Sequence, residues 1–385
     1  MKQFEYIGNR GFNLGVIFRG ISIISFILTP CALLFNMGKA KKLLISIVLP
    51  ITIISMFFAP QYIAFAKANI FNQISFYLLN AYSVLIMGYI IYRTEDKKSL
   101  IINFKTIPLF LVAIILTIPL NIFMPFAKHN NPVFIYRQFS LWYFVFLLLF
   151  ILAAILLNHF LKGKRKEQIR KILFILSLSM LLHLFERFSF VKTRPYQDIE
   201  NVIGAMPFYV CSFGTLLFPF IIYFDNDIAK KLLFLINTPG AIIVFVKPTM
   251  NNVSIFDYDV TYFILNHILL FSAGLQLPYL FDKKMTFKMI KHLTTGLLIY
   301  FMAIFIINTI FANVCTYDPN FSFVAKSPID AKFIYKIGFH IGKTNLYPIY
   351  LIILILVHIS MSVLTLLIYQ LILKHKEEKQ CPKLS

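Results

Sequence analysis

Charge in this chain is confined to short gaps between long apolar runs, and that arrangement leaves few folds open to it. Of its 385 residues 59% are hydrophobic, 17% aromatic and only 14% charged, and its mean hydropathy is +0.78. A water-soluble domain carries about 45–50% apolar residues and 25% charged ones. The solvent for most of this sequence is therefore lipid: the runs match a hydrocarbon core ~30 Å thick, which needs about 20 helical residues to cross. The fold class that follows is all-α, a polytopic transmembrane helical bundle.

Apolar stretches of that length lie near residues 16 to 36, 43 to 65, 75 to 92, 107 to 127, 140 to 161, 172 to 191, 202 to 224, 232 to 247, 259 to 281, 293 to 313 and 346 to 373. The expectation is thus about 11 spans, in an N-terminal five-helix half (residues 1–165) and a C-terminal six-helix half (166–385) with a short basic tail. The eighth run is short and holds Pro239-Gly240, which marks it as a broken or tilted helix. The first run contains Arg19 and is followed by Gly38-Lys39-Ala40-Lys41-Lys42 rather than a small-residue cleavage site, so it reads as a retained helix and not a signal peptide. Of the 37 Lys and Arg residues, 23 fall in one set of alternate loops plus the tail, 12 in the other set, and Arg19 and Arg187 inside spans. Positive charge collects on the cytoplasmic side. The expected localisation is the cell membrane, multi-pass, with the N-terminus outside and the Lys374-His375-Lys376 tail in the cytoplasm.

The net charge of +21 could point to nucleic acid, but the basic residues sit at helix ends rather than along one face. They read as topology signals and contacts to anionic membrane lipids. The four cysteines, Cys31, Cys211, Cys315 and Cys381, form no CxxC pair, so neither a disulfide framework nor a structural zinc site is indicated. No P-loop, dinucleotide fingerprint or GxSxG occurs, and the expected cofactor and metal content is none.

Two stretches resemble each other internally. Ser75-Phe76-Tyr77-Leu78-Leu79-Asn80, with its run ending Ile90-Ile91-Tyr92, parallels Pro207-Phe208-Tyr209-Val210-Cys211-Ser212 and its run ending Ile221-Ile222-Tyr223. Trp142-Tyr143-Phe144 likewise has a counterpart in Thr261-Tyr262-Phe263. Under this pairing four spans repeat in parallel orientation, as in parallel-repeat transporters. Coincidence between low-complexity hydrophobic helices is the competing reading. The differences carry the information: where the second copy has Cys211 and His267, the first has about Leu79 and Leu148.

Ionisable side chains inside a bilayer cost about 2.5–3.5 kcal/mol near a helix centre, so each one asks for a function or a partner. They cluster in three spans: His183, Glu186 and Arg187 in the sixth, Cys211 in the seventh, Asn266 and His267 in the ninth. Counting from the span ends puts Cys211, His267 and His183 at one level, ~12–14 Å below the outer boundary. A thiol beside an imidazole is the minimal pair for nucleophilic attack on an ester or thioester carbonyl. A second His and the Asn266 amide could orient or donate. Against this stand plainer roles: a Cys as a small hydrophobe, a membrane His as an interhelical hydrogen-bonding group, and Glu186 and Arg187 paired or snorkelling to the interface.

Ala205-Met206-Pro207-Phe208-Tyr209-Val210-Cys211, followed two helices later by Tyr262-Phe263-Ile264-Leu265-Asn266-His267, resembles the YwaF-like integral membrane family. Asn320-Phe321-Ser322-Phe323 with Pro328, and Leu346-Tyr347-Pro348-Ile349-Tyr350, are similar to two further motifs of that family. The resemblance covers about residues 168 to 375. An animal relative in the group is an ether-phospholipid acyltransferase with a cysteine active centre. The resemblance therefore implies an acyl group carried on Cys211, activation by His267, and an acyl-chain substrate. Tyr209 stands where the family motif usually has a His. The function expected is a lipid acyltransferase or acyl hydrolase, with Tyr209, Asn266, Glu186 and Arg187 lining the substrate. The alternatives are a permease built on the two repeats, or a non-catalytic membrane partner. The acyl donor, the acceptor and the oligomeric state are not encoded in any motif.

Overall fold

The computed structural model of this chain describes residues 24–25, 27–52, 90, 134–191, 206–246, 253–255, 258–314, 321–323, 337–341 and 344–380. Within them the chain is overwhelmingly helical: α1 (Gly38–Leu43), α2 (Leu141–Leu161), α3 (Lys166–Val191), α4 (Val210–Phe224), α5 (Asp227–Val246), α6 (Tyr258–Gly274), α7 (Met289–Val314) and α8 (Pro348–Gln380). Two short antiparallel pairs are the strands among the described residues, β1 (Ile135–Tyr136) with β2 (Val253–Ser254), and β3 (Phe339–Ile341) with β4 (Thr344–Leu346). Among the described residues three helices are long and apolar enough to cross a membrane: Leu141–Leu161, Met289–Asn313 and Pro348–His375. The expected spans at 75 to 92 and 107 to 127 lie outside the described residues apart from Ile90, and with them much of the first copy of the internal repeat; its Trp142-Tyr143-Phe144 segment lies at the start of α2.

Several element boundaries differ from the hydropathy reading, each for a local reason. Gly38-Lys39-Ala40-Lys41-Lys42, expected as a loop, forms the first turn of α1. The reversal is completed by Asn36 in the left-handed region (φ 50°), a conformation Asn tolerates better than most residues. Helix α4 starts at Val210, well inside the run expected from 202. Pro207 disfavours helix at the residue before it, the Phe208 N–H turns back to the Met206 carbonyl at 2.8 Å, and Tyr209 is extended (φ −82°, ψ 145°). Helix α5 begins earlier than its apolar run because Asn226 caps it, its Oδ1 accepting the Ala229 N–H at 2.9 Å. It then runs unbroken through Pro239-Gly240. The basic tail from Lys374 continues the last helix to Gln380.

The chain divides into two compact units, one of Met1–Phe144, Lys171–Gln197 and Met250–Asn266, the other of Val145–Arg170, Asp198–Thr249 and His267–Ser385. In the first, β1 pairs with β2 through Ile135 and Tyr136 against Ser254 and Val253, and Phe35 packs edge-on against Phe174 at 4.8 Å. In the second, α5 is central, packed against α4, α7 and α8; the Ser362 hydroxyl of α8 donates to the Leu235 carbonyl of α5 at 2.9 Å. Its outward residues are apolar, among them Leu148, Ile155, Leu156, Ile299, Ile310, Leu364 and Leu371, the pattern of helices whose solvent is hydrocarbon.

One end of the second unit is held by charge. Three segments expected to be loops on the same side of the membrane meet there. Lys230 is fully buried and donates to Asp225 Oδ1 at 2.7 Å and to the Leu280 carbonyl at 2.7 Å, with Asp282 at 3.8 Å. Arg170 donates to the Ile222 and Tyr223 carbonyls at the end of α4 and lies 3.7 Å from Asp225. Lys166 pairs with Asp282, and Lys231 with Asp227 at 2.6 Å. Arg170 thus satisfies two of the last carbonyls of α4, which a helix cannot satisfy itself.

Partial burial alone would raise the Asp227 carboxyl. Hydrogen bonds from Lys231 and from the Asp282 N–H, with the charges of Lys231 and Lys230, outweigh it and hold Asp227 below its ordinary value. Asp282 is lowered by its hydrogen bond from Lys166, then by the charge of Lys230. Carboxyls lowered on folding stabilise the protein above their unfolded value of about 3.9, and the contribution is lost as pH falls through the folded values. The melting temperature in detergent is therefore expected to fall below about pH 4, and Asp282→Asn to blunt that fall; a fall that starts near pH 6 would assign it to other groups. Asp225→Asn keeps the left-handed backbone at that position but leaves the buried Lys230 short of its main counter-charge. It should cost roughly 3 kcal/mol by chemical unfolding.

Candidate functional site

The residues that the sequence singles out fall into both units. Cys211, Tyr209 and His267 belong to the second; His183, Glu186, Arg187 and Asn266 belong to the first. His183, Asn266 and His267 are all buried. Glu186 and Arg187 lie on helix α3, with side chains outside the described residues.

Cys211 is the second residue of α4, and Tyr209 is the N-cap, making no side-chain capping bond. The free N–H groups and the positive end of the helix dipole therefore converge on the turn that carries the thiol. α4 has 15 residues, so Cys211 stands ~20 Å from the charged end at Phe224.

Helix α5 forms the wall opposite. A Cβ built on Gly240 would lie 3.9 Å from Cys211 Sγ, and one built on Gly214 would run into the Asn237 carboxamide, 2.6 Å from its Cγ. Three residues forward on α4 thus match three back on α5, an antiparallel register in which glycines on both helices let the chains approach closely. Gly240 is the half of the Pro-Gly pair that faces the sulfur, and even a Cβ there would meet it only at ordinary contact distance. On the other side of α5, a Cβ on Gly274 would lie 3.0 Å from Thr238 Oγ1. Counting back from Gly274, His267 stands about five residues, ~7.5 Å, further from the charged end than Cys211. The thiol and the imidazole are offset by more than one turn rather than level.

Sequence reasoning missed the group that holds the turn before Cys211. The Tyr300 hydroxyl, from α7, and the Ser322 hydroxyl lie 2.8 and 2.9 Å from the Phe208 carbonyl and 2.7 Å from each other. Tyr300 is close enough to Cys211 and Tyr209 to interact electrostatically with both. Ser322 has φ 51°, an unusual conformation for a residue with a side chain. It is held there by Asn308, whose carboxamide accepts the Phe321 N–H at 3.1 Å and donates to the Phe321 carbonyl at 3.4 Å. The Phe321 ring packs on Phe208 at 5.1 Å and Tyr209 at 5.8 Å. Pro207–Cys211 and the Phe321–Phe323 part of a second motif are thus one structure. The available signal was polar: Tyr300 and Asn308 stand in the middle of an apolar span.

A model of the TMEM164 family matches residues 134–369 of the chain. No curated protein and no solved structure matches it. The motif resemblance drew on the YwaF-like family; what the two have in common, and what is carried forward, is an integral membrane protein.

Three substitutions test this geometry. Gly214→Ala should cost about 1–3 kcal/mol through its collision with Asn237. Gly240→Ala, whose Cβ meets only ordinary contact, should be neutral or stabilising, since Ala exceeds Gly by about 1 kcal/mol in a helix. Tyr300→Phe should lose about 1 kcal/mol. Thermal unfolding in detergent measures all three, and equal effects for the two glycines would contradict the register.

Proposed function

The chain belongs to the TMEM164 family, and from that premise we propose that it is a membrane-embedded lipid acyltransferase or acyl hydrolase whose nucleophile is Cys211. The observation that carries the reading is the thiol's position at an uncapped helix N-terminus deep in the bundle, facing Gly240. A site below the membrane surface is reached by lipid chains.

In this reading the Cys211 proton passes to His267, the sulfur attacks the ester carbonyl of a lipid, and the carbonyl electron pair moves onto oxygen. Collapse of that intermediate breaks the C–O ester bond. The leaving alkoxide takes the proton back and departs as a lyso-lipid alcohol, leaving a thioester on Cys211. A lipid hydroxyl, in the ether-phospholipid acyl transfer that the motif resemblance implies, or water then attacks the thioester, and the thiol is restored. With an axial offset of ~7.5 Å, His267 works through a bridging water or through the acceptor hydroxyl itself. Tyr300 and Ser322 hold the Phe208 carbonyl and so act as positioning residues for the nucleophile's turn. His183, expected as a second catalytic group, and Asn266, Glu186 and Arg187 belong to the other unit and are given no part in this step; Tyr209, at the N-cap, is the candidate for contact with the lipid headgroup.

The test is labelling of full-length protein, purified with native lipid, by a long-chain acyl-phosphonate probe. Wild type should label, Cys211→Ala should not, and His267→Ala should label 10²–10⁴-fold more slowly. Labelling that survives in Cys211→Ala, or proceeds equally fast without His267, rejects the pair.

A further inference from the structure

The acyl-transfer reading uses Cys211 but leaves unexplained a polar group one turn away. Asn237 is 1% exposed, and its Nδ2 has no hydrogen-bond partner. Its neighbour Thr238, also buried, has an unpartnered Oγ1. Among helices in lipid, a buried amide donor ordinarily finds a carbonyl or hydroxyl to bond. Here the sequence has done the reverse. Gly214 on α4 has no side chain where the carboxamide lies, and any Cβ there would strike it, so the close approach of the two helices holds Asn237 in place without giving its N–H a partner.

The register fixes where that donor stands. Asn237 and Gly240 are three residues apart on α5, and Gly214 and Cys211 three apart on α4; the carboxamide meets Gly214, and Sγ meets Gly240. Donor and sulfur therefore share one seam, offset by a single turn of ~4.5 Å. An acyl group on Sγ projects its oxygen one C–S and one C=O bond from the sulfur, and a hydrogen bond of ~2.9 Å spans the remainder.

We propose that the buried, unpartnered Asn237 carboxamide facing Gly214 is the carbonyl-binding subsite of the Cys211 centre, donating from Nδ2 to the acyl oxygen of a lipid ester and to the oxyanion formed on it. The proposal rests on the acyl-transfer reading of Cys211. It adds a catalytic residue that neither the polar-residue pattern nor the motifs single out, and it explains why a donor is left open in the membrane core: its partner is the substrate. A pre-positioned donor aimed at a developing oxyanion gains from the low-dielectric surroundings.

The experiment compares two reactions of Cys211 in the full-length protein in detergent. A long-chain activated ester acylates the thiol through an oxyanion; a long-chain alkyl methanethiosulfonate reacts by displacement at sulfur with no oxyanion. Asn237→Leu, close in shape to Asn and lacking the amide, should slow acylation by about 10²–10³-fold, leave the thiosulfonate reaction at its wild-type rate, and leave the melting temperature unchanged or raised, because no hydrogen bond is lost. Asn237→Ser, which is polar but too short to reach, should show the same split. Acylation at wild-type rate in both variants overturns the proposal. So does loss of both reactions together with a lowered melting temperature in both, which would make Asn237 a packing residue. A wild type that takes no acyl group from the ester overturns the Cys211 reading itself and this subsite with it.

Discussion

Backbone that leaves the helix inside a membrane has no water to turn to, and the organisation of the second unit follows from meeting that requirement. The chain before Cys211 is not helical: Pro207 and the extended Tyr209 expose backbone groups at a depth where α5 and α7 are in mid-helix. The Phe208 carbonyl is met by the Tyr300 and Ser322 hydroxyls. Ser322 is presented by a short non-helical turn whose own backbone is met by the Asn308 carboxamide. Each polar side chain in this chain of bonds serves a backbone group, and the result is a helix N-terminus held open deep in the bundle.

The opposite end of α4 is fixed by a different force. Its last carbonyls and the buried Lys230 are satisfied by Arg170, Asp225 and the Leu280 carbonyl, and the acids there are stabilised as anions by the lysines beside them. A 15-residue helix anchored by charge at one end has its other end fixed by its length, and that is how local sequence sets the distance of the thiol from the charged cluster. Across the α4–α5 seam Gly240 faces the sulfur, and Gly214 admits the Asn237 carboxamide that any larger residue there would displace.

Much of this was legible in the sequence, and the gaps have physical causes. Hydropathy identified the helices from 141 onward because lipid demands long apolar runs, and the loops expected together on one side do meet in the Lys230 cluster. Helix ends were read less well. Pro207 and Asn226 act through local backbone geometry and capping, to which a window average is blind. Cys211 and His267 stood out as polar groups in apolar runs, and both fall in the second unit, but span ends alone could not give the register of α4 against α5. Tyr300, Asn308 and Asn237 went unremarked because single hydroxyls and amides are common in membrane helices. Only the three-dimensional neighbours reveal that two of them serve broken backbone and the third serves nothing in the chain. The internal repeat rests in part on segments, 75 to 89 and 107 to 127, outside the described residues.

The most direct measurement is the intact mass of the wild-type protein after incubation with a phospholipid bearing an isotopically labelled acyl chain, followed by peptide mapping with and without hydroxylamine. The account predicts one labelled acyl group on Cys211, removed by neutral hydroxylamine as a thioester is, and absent from Cys211→Ala. An acyl group found elsewhere, or one that resists hydroxylamine, or none at all while the labelled lipid is nonetheless turned over, would contradict it.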